Sequence, residues 1–500
     1  MKLNNHIECI HMKILLTASE CSPLVKVGGI ADVIGSLPIA IKELGIDIRL
    51  AIPFYKPLED EISKNNSLDI KLIKEITVDY DNQPRKTLIY QTLLPNTDVI
   101  VYLIKNSDYI TNGGIYYTSQ QVASNATELD RFAFFSKALA SVFSYPNDIF
   151  TPDIFHCNDW HTGMIPQLIQ NSHKYGGAPC PKTIFTIHNL AYQGFSKLDI
   201  ADKLGLTISD DQTLSWDATD DNLDFILQGI VGSDYVTTVS KKYADEIQTE
   251  EFGEGLNDIL TSSRNRLIGI LNGISYEIFN PSKDPYISVQ YTNADWQQGK
   301  QKNKQKLLKD LGLQDSTNKP LIGIVSRLAG QKGLDLVSGS IEQIVEMGYQ
   351  IVILGTGDPQ LESILAEKNN NPAISTNYTA LIEFSEKLAR NIYAASDMFL
   401  IPSRYEPSGL TQMIAMKYGS VPVVRATGGL FDTVQDDFTG FTFDKFTKED
   451  MLHTLSRAID EYHNKEKWNK YVQNCLNQDF SWNTSAREYA KLYQKVLNLS

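Results

Sequence analysis

Four charged side chains and a few glycine pairs carry most of the chemistry legible in this chain. Arg327 and Lys332 stand five residues apart in Ser326-Arg327-Leu328-Ala329-Gly330-Gln331-Lys332-Gly333, directly after the apolar run Leu321–Val325. Such a pair on a glycine-containing loop can converge on one diphosphate, the guanidinium as a planar fork and the ammonium as a point charge. A solvated loop is the competing reading, and the pair alone does not decide. Glu406 follows another apolar run, in Ile401-Pro402-Ser403-Arg404-Tyr405-Glu406-Pro407-Ser408-Gly409-Leu410-Thr411-Gln412, where Ser408-Gly409 opens a helical pattern. Further on, Thr427-Gly428-Gly429 offers a loop that lets backbone approach a ligand closely.

The first half holds similar groups. Lys26-Val27-Gly28-Gly29-Ile30-Ala31-Asp32-Val33 follows a strand ending near Leu16, and a helix is expected to begin near Gly29. Glycine amides and a helix N-terminus suit an anion, although a Gly-Gly pair read alone is more often a plain turn beside a solvated lysine. Asn158-Asp159-Trp160-His161 and Ile187-His188-Asn189-Leu190-Ala191-Tyr192-Gln193-Gly194 close the set. A lone histidine is more often structural than catalytic. Two histidines, an aspartate and a tryptophan at neighbouring strand ends, however, suit a sugar, with an aromatic face for the ring and polar tips for hydroxyls.

Other chemistries find no support. No compact His/Cys/Asp/Glu spacing suggests a metal site, and no Walker A or Gly-x-Ser-x-Gly sequence occurs. Asp79–Asp81 reads as a polar loop before Gln83-Pro84. Forty-six basic against 60 acidic residues leave a net charge of −14, which disfavours nucleic acid and anionic membranes as partners. No apolar run approaches the ~20 residues of a membrane span. The five cysteines, Cys9, Cys21, Cys157, Cys180 and Cys475, are scattered and read as reduced thiols. The leader through His11 reads as neither signal nor transit peptide, with Met12 an alternative start, and a cytoplasmic protein is expected.

The elements that would position these groups repeat a pattern: a β-branched apolar run, a glycine or polar loop, then a helix. Strands are expected at Lys13–Leu16, Asp47–Ile52, Val99–Leu103, Ile154–Cys157, Thr183–Ile187 and Tyr235–Val239. The pattern restarts with Leu321–Val325, Ile351–Leu354, Met398–Ile401 and Val421–Val424. Buried parallel strands wrapped by helices read this way, so the expected fold is α/β, with two doubly wound Rossmann-like domains and a cleft between them. The expected domains are residues 1–271, 272–478 and a C-terminal helical segment, 479–500. Asn-Gly, Asn-Pro and Asp-Pro signals mark the boundary near Asn272–Tyr291. In the last helix Tyr489, Leu492, Tyr493 and Val496 share one face, the spacing of a docking helix.

Taken in order, the Lys26–Val33 stretch, Asn158–His161, His188–Gly194, Ser326–Gly333 and Tyr405–Gln412 resemble bacterial glycogen synthases and plant starch synthases, from about Met12 to Asp479-Phe480-Ser481-Trp482. The resemblance implies the GT-B fold, with a C-terminal helix crossing back onto the first domain. It implies retaining, metal-independent transfer of glucose from ADP-glucose to the nonreducing 4-OH of an α-1,4-glucan, with no cofactor. By the same resemblance Lys26 lies near the donor, and Arg327 and Lys332 neutralise the leaving diphosphate. Glu406 holds the donor sugar, and His188 sits near its C1–C6 side. Asp159 and Asn272 line that pocket, and the donor-binding set also includes Gly28, Gly29, Ser408, Gly409, Leu410, Thr427, Gly428 and Gly429. Four positions depart from the family pattern: Ile30 for Leu, Ser408 where Cys is common, Ser275 for Asp, and Ile414 in an incomplete Glu-x7-Glu. Rival readings are a pyridoxal-phosphate glucan phosphorylase, a UDP-sugar transferase such as sucrose synthase, and a non-catalytic two-lobed binding protein. Oligomeric state is not legible.

Overall fold

The computed structural model describes residues 12–65, 68–111, 114–116, 127–176, 180–316 and 318–498. Cys9 and the rest of the leader lie outside them. The chain divides into two compact units. The first contains residues up to Val239, Ala244–Gly273 and the helix from Trp482 onward; the second contains Ser240–Tyr243 and Ile274–Ser481.

The first unit is built on a sheet of nine strands among the described residues. Its order is Leu267–Gly269, Tyr235–Thr238, Lys182–Ile187, Ile154–Asn158, Lys13–Thr17, Asp47–Pro53, Ile100–Lys105, Gln83–Leu93 and Lys71–Tyr80. Neighbours pair in parallel from Leu267–Gly269 through Ile100–Lys105, and the last two strands join by antiparallel pairing. The last two form a hairpin that the sequence reading missed. Its turn is Asp81-Asn82, both with positive φ (57° and 52°), the backbone of a twist-matched two-residue hairpin turn. Asp79 therefore lies in a strand and only Asp81 in the turn, correcting the loop expected over Asp79–Asp81. Lys71–Tyr80 is an edge strand with only Val78 and Tyr80 buried, so its charged residues hid it.

The second unit is a parallel six-stranded sheet ordered Tyr378–Leu381, Gln350–Leu354, Leu321–Val325, Met398–Ile401, Val421–Arg425 and Phe441–Phe443. Gln350–Leu354 is buried at every position, as a strand covered on both faces must be. In each unit the strand order reverses beside the first strand. Lys13–Thr17 is flanked by Asp47–Pro53 on one side and Ile154–Asn158 on the other. Leu321–Val325 lies likewise between Gln350–Leu354 and Met398–Ile401. At such a switch point the loops leaving the carboxyl ends splay apart and leave a crevice where these sheets bind ligands.

The helix Trp482–Val496 returns to the first unit, with Tyr489, Leu492, Tyr493 and Val496 buried in its core. Tyr493 Oη bonds His156 Nδ1 at 2.8 Å, and His156 Nε2 bonds Thr186 Oγ1 at 2.7 Å. No helix among the described residues is long and apolar enough to cross a membrane.

Candidate active site

Two constellations lie at the carboxyl ends of the two sheets. In the first unit, Lys13–Thr17 leads to Glu20 and the glycine loop, and Gly29 opens the helix Gly29–Glu43. Glu20 is 2% exposed. Its Oε2 accepts the Val27 amide at 2.5 Å and the Gly28 amide at 2.8 Å, and Tyr116 Oη donates to Oε1. The Gly28 amide, expected to face a ligand, is thus held by the protein's own carboxylate. Lys26 is partly exposed and pairs with Asp32 at 2.8 Å.

The neighbouring strand Ile154–Asn158 ends at Asp159, held at φ 53°. Its Oδ1 accepts the His188 amide at 2.7 Å and the Asn189 amide at 3.4 Å. Burial outweighs those amides and pushes the Asp159 carboxyl up to about 7. His188 begins the loop after Lys182–Ile187, and burial brings its pKa down to about 3, so the ring stays neutral. Its tautomer follows from its partner. Asn158 spends Nδ2 on the Thr17 and His156 carbonyls (3.0 and 3.3 Å), so Oδ1 faces His188 Nε2 at 2.8 Å. Nε2 therefore carries the proton and Nδ1 is left as an acceptor.

Trp160 does not present the open sugar platform expected of it. His161 stacks on the indole at 4.1 Å, Phe132 meets it edge-on at 5.1 Å, and a Cβ on Gly194 would lie 2.6 Å from it. Its ring is wedged among protein groups.

In the second unit, Lys332 Nζ lies 2.8 and 2.7 Å from the two Glu406 carboxylate oxygens. Ser403 Oγ donates to Oε2 at 2.8 Å and fixes the carboxylate. Gly333 makes the pairing possible. At φ +69°, any Cβ there would sit 2.0 Å from the Pro402 carbonyl, so only glycine lets this loop settle against Pro402–Glu406. Arg327, on the same loop, is exposed. The resemblance implies separate duties for Lys332 and Glu406, phosphate and sugar, and the structure pairs the two side chains.

Gly428 and Gly429 also serve close approach, but to protein. A Cβ at either would lie 2.0 Å from the Glu406 carbonyl or 1.8 Å from that of Ser408, and the Gly429 amide bonds the Glu406 carbonyl at 3.0 Å. With Thr427 they brace the Glu406–Leu410 loop from behind. Gly409 is in the left-handed region at φ +65°. Gln412 Nε2 ties the Ser408 and Gly409 carbonyls together (3.1 and 2.7 Å) ahead of the helix Thr411–Lys417. Two predicted residues carry buried polar atoms with no partner among the described residues, Asn272 Oδ1 and Ser408 Oγ. Native proteins rarely leave such atoms unpaired. Glu20, Ser403 and Tyr116 were not singled out from sequence. Ser403 and Glu20 each sit close in sequence to a recognised motif, the only signal that pointed to them.

A switch point on each of two separate sheets, a lysine paired with a buried carboxylate beyond the second, and a C-terminal helix returned to the first unit fit a GT-B glycosyltransferase. The starch synthase catalytic domain family matches residues 13–262 and the glycosyl transferases group 1 family residues 303–474. The glycogen synthase of Clostridium novyi is 40% identical over 97% of this chain and all of its own length, and that of Geotalea daltonii 41% over 97% and 99%. The catalytic domain of starch synthase IV from Arabidopsis thaliana, solved with ADP and acarbose, superposes with a TM-score of 0.84 at 31% identity, over 98% of this chain and all of that one. A sucrose-phosphate synthase from Thermosynechococcus elongatus shares the fold (TM-score 0.58, 16% identity, 98% and 100% covered). The chain belongs to the glycogen and starch synthase family and is a glucosyltransferase.

Proposed function

We propose that this enzyme transfers glucose from ADP-glucose to the nonreducing 4-OH of an α-1,4-glucan, with retention, in the cytoplasm and without metal or cofactor. The observation that carries the reading is the Lys332–Glu406 pair at the switch point of the second sheet, in a family whose starch synthase IV member was solved with ADP and acarbose. Breaking the anomeric C–O bond puts positive charge on the sugar and negative charge on the departing diphosphate. Arg327 and Lys332 stabilise the phosphate oxygens, and Glu406, held by Ser403, faces the electron-poor sugar. His188, neutral with Nδ1 as acceptor, takes a sugar hydroxyl, and Asn272 and Ser408 use their unpaired oxygens the same way. Lys26, Gly29, Asp159, Gly409 and Leu410 complete the donor contacts. Because Arg327 and Lys332 provide the charge stabilisation, EDTA should leave turnover unchanged.

The deciding test is radiolabelled ADP-glucose against UDP-glucose with glycogen as acceptor. We expect at least about tenfold faster transfer from ADP-glucose, a difference of about 1.4 kcal/mol in the transition state. Equal rates, or a preference for UDP-glucose, would sink the donor assignment.

A further inference from the structure

Glu20 is a carboxylate at 2% exposure with no salt-bridging cation among the described residues. A buried charge is costly unless hydrogen bonds satisfy it. Here they come from the loop it faces: consecutive amides of Val27 and Gly28 on one oxygen and the Tyr116 phenol on the other. Successive amides aimed at one point form an anion-binding concavity, and the protein fills it with its own side chain. Gly28, the residue before the helix Gly29–Glu43, has no side-chain cap. The first amides of that helix therefore receive no cap from the residue that precedes it, the position at which a helix start takes an anion.

We propose that Glu20 is the positioning residue of the glycine loop. Its carboxylate pins Val27 and Gly28, fixes the backbone that carries Lys26, and leaves the Gly29 amide to the anionic part of the donor. The loop is then built before ligand arrives, and binding does not bear the cost of ordering it. Tyr116, which also lies 3.2 Å from Ser19 Oγ and packs against His161, holds Glu20 in turn. The inference rests on the donor assignment proposed above for Lys26 and Gly29.

The test uses the full chain with Glu20→Gln, Tyr116→Phe and, as a reference, Lys332→Gln. ADP affinity is measured by calorimetry, and KM separately for ADP-glucose and glycogen. Glu20→Gln keeps the shape but turns a donor toward the loop or the phenol. It should raise the ADP Kd and the ADP-glucose KM about tenfold while the glycogen KM holds. Tyr116→Phe should move the same quantities by about threefold, and it decides the matter if Glu20→Gln does not fold. Donor affinity within twofold of wild type, or equal weakening of donor and glycogen, overturns the positioning role. If Lys332→Gln also leaves ADP affinity intact, the donor assignment itself fails, and the role of Glu20 falls with it.

Discussion

Glu406→Gln removes one negative charge from the second unit while keeping the side chain's volume and one hydrogen-bond acceptor. Its effect on ADP has a sign that the ion pair sets. Glu406 and a diphosphate oxygen compete for the same ammonium, and with Lys332 between them the two anions lie roughly 5.5 Å apart, twice the Nζ–O distance. Their repulsion is about 3 kcal/mol at an effective dielectric constant of 20 and under about 1 kcal/mol at that of water. Lys332 is 21% exposed and Glu406 8%, which places the pair between these limits. Removing the carboxylate should therefore tighten ADP by about 1–2 kcal/mol, on the order of tenfold. Turnover should fall by about 10²–10³, because the group facing the electron-poor sugar has lost its charge. Lys332→Gln should lose both turnover and ADP affinity. Calorimetry with ADP beside single-turnover transfer on both variants distinguishes the cases. If Glu406→Gln weakens ADP as Lys332→Gln does, or keeps near-normal turnover, the competition for Lys332 is not real.

Two further expectations concern the framework. Gly333→Ala should cost about 3 kcal/mol or more of stability in denaturant unfolding and lower turnover, since its Cβ would meet the Pro402 carbonyl at 2.0 Å; a variant as stable and active as wild type would refute that reading. His156 is fully buried with its pKa brought down to about 3, so below about pH 6.5 the unfolded chain binds a proton that the folded chain refuses. Its stabilising contribution is present above pH 6.5 and is lost as pH falls, so between pH 7 and 5.5 wild type should lose about 1 kcal/mol more than His156→Gln; parallel curves would contradict it.

The parallel strands were legible because burial on both faces leaves continuous β-branched runs, as in Leu321–Val325 and Met398–Ile401, where expectation and structure share their limits. Elements half in water were not. The hairpin Lys71–Leu93 reads as charge, the three-residue strands Leu267–Gly269 and Phe441–Phe443 are too brief to show a period, and Tyr378–Leu381 is buried only at alternate positions and so lacks the continuous apolar run. The helix Trp482–Val496 declared its buried face through its spacing. In the site, loops at strand ends could be read as loops, but not which groups would meet. Nothing in the sequence tells that Lys332 contacts Glu406, because the meeting depends on Gly333 clearing a carbonyl across 69 residues of chain. Glu20 escaped notice because a carboxylate beside a glycine loop looks like the wrong sign for an anion site. Trp160 was misread because exposure, not residue type, makes an aromatic a platform.

The return of the last helix to the first unit has a consequence for biosynthesis. The residues of this helix, Tyr489 and Tyr493 among them, complete a core whose members from outside the helix end at Ile270, and His156 waits for the phenol of Tyr493. A chain leaving the ribosome N-terminus first cannot close that core until more than 200 further residues, Ile274–Ser481, have been made. At about 5–20 residues per second, the first unit spends roughly 10–40 seconds with the groove for its final helix uncovered. Over that interval an apolar face lies open to water, while the second unit, encoded later, has all of its own core strands in hand before the first is finished.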